Sequence, residues 1–325
     1  MSRIIYVPLE HIDGRYTVHM DRDIMEYFVN NDIEFIKIMP DLKAAPLPEG
    51  CFLNAAFTSK FKANQLMMIA DLYEQDLIRD DDRFFFSDIW FPGIESIAYM
   101  NYFHKKTAKI TGIIHAGSFT DTDFVRDLER WAKNFEDIVF DISDTIYCAS
   151  NFIRDDIIQK RMVDPSKFVV SGLPVDYETL GCYDTSRKAD RVIFNGRICD
   201  EKQPHLFDKL EQRVKEVMGR TDIEFVKTQD LGLNKDQYYQ LLAESKCVVS
   251  YALQENFGFG IAEAAYLGCT PVLPNRLVYP ELYDEKYLFD THEESVIMVC
   301  DALQQQYQDS VELNCDPLET WFGQR

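Results

Sequence analysis

Apolar residues in this chain come in short unbroken runs rich in β-branched and aromatic side chains. Each run is followed by a longer stretch whose apolar positions recur at helical spacing. Such runs read as strands buried on both faces, and the stretches between them as amphipathic helices. Strands are expected at Ile4–Val7, Glu34–Ile38, Arg83–Phe86, Lys109–Ile114, Thr145–Cys148, Phe168–Val170, Arg191–Phe194, Ile223–Val226, Cys247–Ser250 and Thr270–Leu273. Helices are expected at Asp21–Asn30, Lys62–Glu74, Ile94–Phe103, Asp121–Asn134, Ser150–Arg161, Gln203–Met218, Lys235–Glu244 and Gly260–Leu267. This βαβα order predicts an α/β fold of parallel sheets with helices on both faces. The series restarts near Arg191, after a polar stretch from Asp176 to Asp190. Two similar α/β units joined by a linker near 175–190 are therefore expected.

Composition agrees with two cores. The chain has 325 residues, 46% of them apolar, which suits two domains of about 150 residues better than one. No run is long and apolar enough to read as a membrane span, and Ile4–Val7 is too short for the apolar core of a signal peptide. Eight scattered cysteines without C-x-x-C spacing read as reduced, mostly buried thiols, which points to a cytoplasmic setting. The net charge of −21 divides into −9 over residues 1–175 and −12 over the rest. That field disfavours polyanions at long range, so a local cluster of cations after a strand becomes informative.

Two segments carry candidate chemistry. Gln254-Glu255-Asn256-Phe257-Gly258-Phe259-Gly260-Ile261-Ala262-Glu263 lies between an expected strand and a short helix. Its glycines let backbone approach a ligand closely, and the unpaired N–H groups of a helix start suit a phosphate. Glu263 falls in the first turn, where its carboxylate could receive ribose hydroxyls, and Glu255 falls at the strand end where ligands of open α/β sheets bind. The second segment, Phe194-Asn195-Gly196-Arg197-Ile198-Cys199-Asp200-Glu201-Lys202, also runs from strand to helix. Gly196 opens the turn, and Arg197 and Lys202 could fold their charges toward one diphosphate. Taken singly, each feature has a plain alternative: a solvated cation, a surface carboxylate, an ordinary glycine turn.

Together these residues resemble the donor-site signatures of retaining GT-B glycosyltransferases, family 4 and its relatives. Glu255 and Glu263 match the E-x7-E element, and Gly196, Arg197 and Lys202 match G-R-x4-K. The run Tyr266-Leu267-Gly268-Cys269-Thr270-Pro271-Val272-Leu273-Pro274, with Leu277-Val278-Tyr279-Pro280-Glu281 after it, is similar to tRNA-queuosine mannosyltransferases. The resemblance is strong over roughly 190–290. It implies the GT-B fold, with two Rossmann-like domains whose parallel sheets face a central cleft. The implied parts are an acceptor-binding domain over 1–175, a nucleotide-sugar domain over 176–305, and a last helix within 306–325 that packs back toward the first domain. It further implies that Arg197 and Lys202 contact the donor diphosphate, that Glu263 binds the ribose, and that Glu255 with the backbone of Asn256, Phe257 and Gly258 positions the sugar. Ile113-Ile114-His115-Ala116-Gly117 resembles the family element whose His approaches the donor sugar. The Gly-Gly loop usual after the first strand is absent; His11-Ile12-Asp13-Gly14-Arg15 stands there instead.

The expected reaction is metal-independent transfer with retained configuration, from a UDP-sugar rather than a GDP-sugar, without a further cofactor. The catalytic candidates are Glu255, His115, Arg197 and Lys202. A metal-dependent GT-A enzyme using Asp121-Thr122-Asp123 would leave the 194–263 residues without a role; the same residues suit a helix N-terminus. Asp13, Asp88 and Trp90 are acceptor-side candidates, because aromatic and acidic residues at a strand end can stack on and bond to a base or sugar. A modified nucleobase is the preferred acceptor, in DNA of the phage hydroxymethylpyrimidine type or in tRNA. A cell-envelope or small-molecule glycan is the alternative, and an epimerase or a non-catalytic sugar-nucleotide binder is the alternative of another class.

Overall fold

The computed structural model describes residues 2–12, 15–42, 54–123, 125–305 and 309–323. The chain divides into two units, Met1–Gly172 with Asp316–Arg325, and Leu173–Cys315. In chain order the first unit holds β1 (Ile4–Val7), α1 (Tyr16–Asn30), β2 (Phe35–Lys37), α2 (Ala55–Glu74), β3 (Arg83–Phe86), α3 (Glu95–His104), β4 (Lys109–Ile114), α4 (Glu129–Ile142), β5 (Thr145–Cys148), α5 (Asn151–Lys160) and β6 (Phe168–Val170). The second holds α6 (Tyr177–Leu180), β7 (Ala189–Phe194), α7 (Pro204–Met218), β8 (Glu224–Lys227), α8 (Lys235–Ala243), β9 (Ser245–Val249), α9 (Phe259–Tyr266), β10 (Thr270–Pro274), α10 (Tyr279–Leu282), β11 (Leu288–Phe289) and α11 (His292–Gln304). α12 (Pro317–Phe322) returns to the first unit.

Each unit is built on a parallel sheet. The first has order β2-β1-β3-β4-β5-β6 and the second β11-β10-β9-β7-β8, with every described pairing parallel. The physical cause is visible in β1, whose four residues Ile4, Ile5, Tyr6 and Val7 are all buried, as a sheet covered on both faces requires. In both sheets the order contains the same reversal. The first strand of the unit lies between its second and third, so consecutive crossovers leave its carboxyl end in opposite directions. Such a point opens a crevice beyond the carboxyl ends of the central strands. In the first unit it lies between β1 and β3, and in the second between β7 and β9.

α12 seats Trp321 and Phe322 in the first unit. The Trp321 indole is 1% exposed, donates to the Ser171 hydroxyl at 2.9 Å and packs 5.4 Å from the Phe85 ring. Phe322 meets Phe85 at 4.6 Å and Phe28 at 4.7 Å.

Several elements depart from the sequence expectations: α1 begins at Tyr16 and α2 at Ala55, earlier than expected, and the short α6, α10 and β11 lie outside the expected series. The helix expected over Asp121–Asn134 instead spans Glu129–Ile142. Asp123 accepts a hydrogen bond from the Val125 N–H, two residues on, and this local turn competes with helix start. The apolar stripe that seats the helix, Ala132, Val139 and Phe140, lies later. α11 was not expected at all, although Thr291 and Glu294 form a reciprocal capping box at its start, a pattern readable in sequence. No described helix is long and apolar enough to cross a membrane.

Candidate functional site

The switch point of the second unit is a recess lined by Asn195, Gly196 and Lys202 from the β7 side, and by Ser250, Glu255 and Gly258 from the β9 side. The recess is shallow and open, with about 390 Å³ of space when the part open to solvent is included. β7 and β9 end in the fully buried Phe194 and Val249, so the chain emerges from the sheet at the floor of the recess.

The two loops are laced together. The Leu253 N–H donates to the Glu201 carbonyl at 2.7 Å. Lys202 donates to the Gln254 carbonyl and lies 3.2 Å from a Glu255 oxygen. Arg276 holds the same loop from beneath, through the Tyr251 and Ala252 carbonyls at 2.9 and 3.0 Å. Lys202 is therefore a nearly buried ammonium fixed at the recess wall, and it makes the only cation among the described lining residues. A buried charge costs several kcal/mol unless paired; here Glu255 supplies the pairing.

α9 begins at the recess. Its N-cap is Gly258 with φ +84°, a conformation that costs a side-chain-bearing residue about 1–2 kcal/mol. No side chain caps this end; the Ile261 and Ala262 N–H groups close back on the Gly258 carbonyl at 2.9 and 3.0 Å, and Gly258, Phe259, Gly260 and Ile261 line the recess beside Lys202 and Glu255. The Asn195 amide ties β7 to this turn by donating to the Gly260 carbonyl at 2.5 Å. Phe257 is buried and packs on Phe259. Asn256 accepts from the Gln254 amide at 3.1 Å.

Four expected residues lie outside the lining: Asn256 and Phe257, on the loop just described, and Arg197 and Glu263. Arg197 is half exposed and ion-paired to Glu201. Glu263 is buried one turn into α9. Its Oε1 receives Lys235 at 2.7 Å and the Tyr239 hydroxyl at 2.8 Å. Lys235 also lies over the Tyr239 ring, 4.5 Å from its centre. Burial first, and Glu263 second, push the Tyr239 phenol far above its ordinary range, so it stays a donor. A plain surface carboxylate is thus not what Glu263 is.

Sequence reasoning missed Asn195, Ser250 and Tyr279 as lining residues. Tyr279 is fully buried, shares a 2.8 Å hydrogen bond with Ser250, and has its pKa raised by burial and then by Glu255. Its position just after β10 was the available signal.

The remaining candidates belong to the first unit. His115 follows β4 and donates from Nε2 to the Ser87 carbonyl at 2.7 Å. Burial lowers its pKa below the ordinary 6.5, against the opposing pull of Asp88, so the ring is neutral in the fold at neutral pH. Unfolding restores the ordinary value, and between the two values the unfolded chain binds the extra proton. The residue's contribution to stability is then complete above about pH 6.5 and is lost as pH falls toward the folded value. His115→Asn should flatten the acid limb of a melting-temperature profile below that pH; an unchanged slope would contradict a neutral, half-buried ring.

Asp88 accepts from the Trp90 N–H at 3.1 Å and lies 3.2 Å from the Lys62 ammonium. Trp90 packs on Phe135 at 4.8 Å, and its indole N–H is 3.2 Å from buried Glu136, so it is part of a packed corner. Asp13 lies outside the described residues. Asp121 faces Lys160 at 3.2 Å.

No family model matches the chain. A curated relative, the tRNA-queuosine alpha-mannosyltransferase of Drosophila melanogaster, is 34% identical over 101 residues, which are 31% of this chain and 25% of that protein. The chain thus spans about a quarter of the relative's length. Among solved structures, sucrose-phosphate synthase from Thermosynechococcus elongatus superposes with a TM-score of 0.61 at 10% identity, covering 94% of this chain and 90% of that one. Anabaena HepE in complex with UDP gives 0.57 at 13% identity, covering 94% and 91%. The chain has the GT-B fold.

Proposed function

We propose that this chain is a glycosyltransferase that moves a sugar from a UDP-sugar to a hydroxyl acceptor with retained configuration and without a metal. The observation that carries the reading is the convergence of Lys202, Glu255 and the uncapped start of α9 on one recess at a switch point. The curated relative's name and the UDP held by HepE support the same chemistry.

In this reading the donor diphosphate lies against Lys202 and the first-turn N–H groups of α9. Negative charge grows on the diphosphate as the glycosidic bond breaks, and preorganised donors there lower the barrier. Glu255 orients the sugar and opposes positive charge on the ring carbon. The acceptor hydroxyl attacks from the face the diphosphate leaves, and the departing phosphate oxygen takes its proton. Glu263, held by Lys235 and Tyr239, receives ribose hydroxyls. Arg197 reaches the diphosphate after parting from Glu201. His115 bonds a sugar hydroxyl, and Asp88 serves the acceptor. A modified nucleobase, in tRNA or DNA, is the preferred acceptor.

A panel of UDP- and GDP-sugars with tRNA, DNA and glycan acceptors, read by mass spectrometry, tests this. Nucleotide released together with a glycosylated acceptor supports transfer. An altered sugar still joined to its nucleotide would make the chain an epimerase, and binding without turnover across the panel would make it a binder. Glu263→Gln should raise the donor dissociation constant by roughly tenfold to a hundredfold, the worth of a charge-assisted hydrogen bond, while changing kcat little, because a ribose contact is present in ground and transition states alike. An unchanged dissociation constant would remove Glu263 from the donor site.

A further inference from the structure

The switch point of the first unit holds a carboxylate that the protein does not satisfy. Glu10 lies three residues past β1 and is 5% exposed. Its Oε1 receives the Thr58 hydroxyl, but Oε2 is buried without a hydrogen-bond partner. The neighbouring acids differ. Asp21 also has one buried oxygen without a partner, but its other oxygen pairs with Lys37 at 2.6 Å, and Asp88 pairs with Lys62 at 3.2 Å. Among the described residues Glu10 has no cation.

Sheet register places these groups on one edge. Val7 is level with Phe86, and Phe86 with Gly112, so the loops carrying Glu10, Asp88 and His115 leave adjacent strands at the same end. Tyr16, at the start of α1, packs its ring 5.6 Å from the His115 ring. Burial, then Asp88, with Glu10 a smaller contributor, keeps its hydroxyl protonated. A buried carboxylate oxygen without a donor is costly in the free protein, and such groups call for an explanation. A ligand that supplies the missing donor is one.

We propose that Glu10, backed by Thr58 at the β1–β3 crevice, forms the subsite that receives the acceptor, and that it takes a hydrogen-bond-donating group, a hydroxyl or a protonated amine, and rejects phosphate. This deepens the glycosyl-transfer reading and rests on it for the word acceptor. An anionic group brought against Glu10 would meet a carboxylate whose described partner is the neutral Thr58 hydroxyl, whereas a hydroxyl or ammonium would complete its hydrogen bonds.

The test uses the whole chain, saturated with UDP, and three probes: glucosamine, glucose and glucose 6-phosphate. Binding is followed by amide NMR. Glucosamine should shift the amides of residues 8–12, 57–59 and 87–89, and glucose 6-phosphate should not. Glucose binding as tightly as glucosamine would assign the contact to hydroxyls; weaker glucose binding would assign it to the amine. Glu10→Gln should weaken glucosamine by about tenfold or more, the cost of exchanging a charged acceptor for a neutral one, leave UDP affinity unchanged, and leave the melting temperature equal or higher.

No glucosamine response near Glu10, equal binding by the variant, or equal binding of glucose 6-phosphate would overturn the proposal. The comparison of probes on the unaltered protein decides it even where the variant does not fold. If UDP itself failed to bind while the Glu10 amides still responded to glucosamine, the donor reading would fall and the binding carboxylate would stand.

Discussion

Lys202→Met is expected to lower kcat/KM with a UDP-sugar by about a thousandfold, the scale seen when one preorganised charge-stabilising donor is removed from a transition state. Methionine nearly preserves the length of the side chain, so packing against the Gln254 loop is kept. The charge is lost where it matters most: Lys202 is nearly buried at the recess wall, beside the 24%-exposed side chain of Glu255. Its removal also leaves that carboxylate without its cation, which adds repulsion toward a diphosphate. Melting should change far less than turnover. Initial rates of UDP release, beside a melting curve, check this. A variant whose kcat/KM stays within about tenfold of the original, a loss of no more than about 1.4 kcal/mol, would show that the diphosphate is held elsewhere.

The second large effect concerns stability. Trp321→Ala should destabilise the first unit by about 3–5 kcal/mol, the usual cost of truncating a buried Trp or Phe to Ala. The indole lies among Phe85, Tyr147 and Phe322, and its N–H is the partner of Ser171, a hydroxyl that would be left buried. For a unit of this size that corresponds to a fall of roughly 10 °C in its melting transition. With two units the transitions need not coincide, so a scanning calorimeter should show one displaced and the other fixed. A shift below about 2 °C, under the value of a single kcal/mol, would mean that α12 contributes little to the core it touches.

How much of this was legible in the sequence depended on how local the cause was. β1, β3, β4, β5 and β6 fall on the expected residues, because a strand buried on both faces announces itself by an unbroken apolar run. β11 has only Leu288 and Phe289, too short to stand out from a loop. α4 began late because Asp123 and its turn suit a helix start as well as a bend. For the candidate site, spacing could single out Gly196, Lys202, Glu255 and Gly258, since glycines and charges after strands are local signals. It could not show that Lys202 and Glu255 pair across two loops, that Arg197 is tied to Glu201, or that Lys235 and Tyr239 from another helix hold Glu263. Those contacts depend on where three strand ends come together. Glu10 was passed over for the same reason: a missing partner has no sequence signature.

The most direct measurement is an experimental structure with UDP bound. The account predicts the diphosphate in the recess of the second unit, with its oxygens within hydrogen-bond reach of the Lys202 ammonium and of the backbone N–H groups just after Gly258, and the ribose beside Glu263. A diphosphate bound on any other surface, with Lys202 still paired only to Glu255, would contradict it.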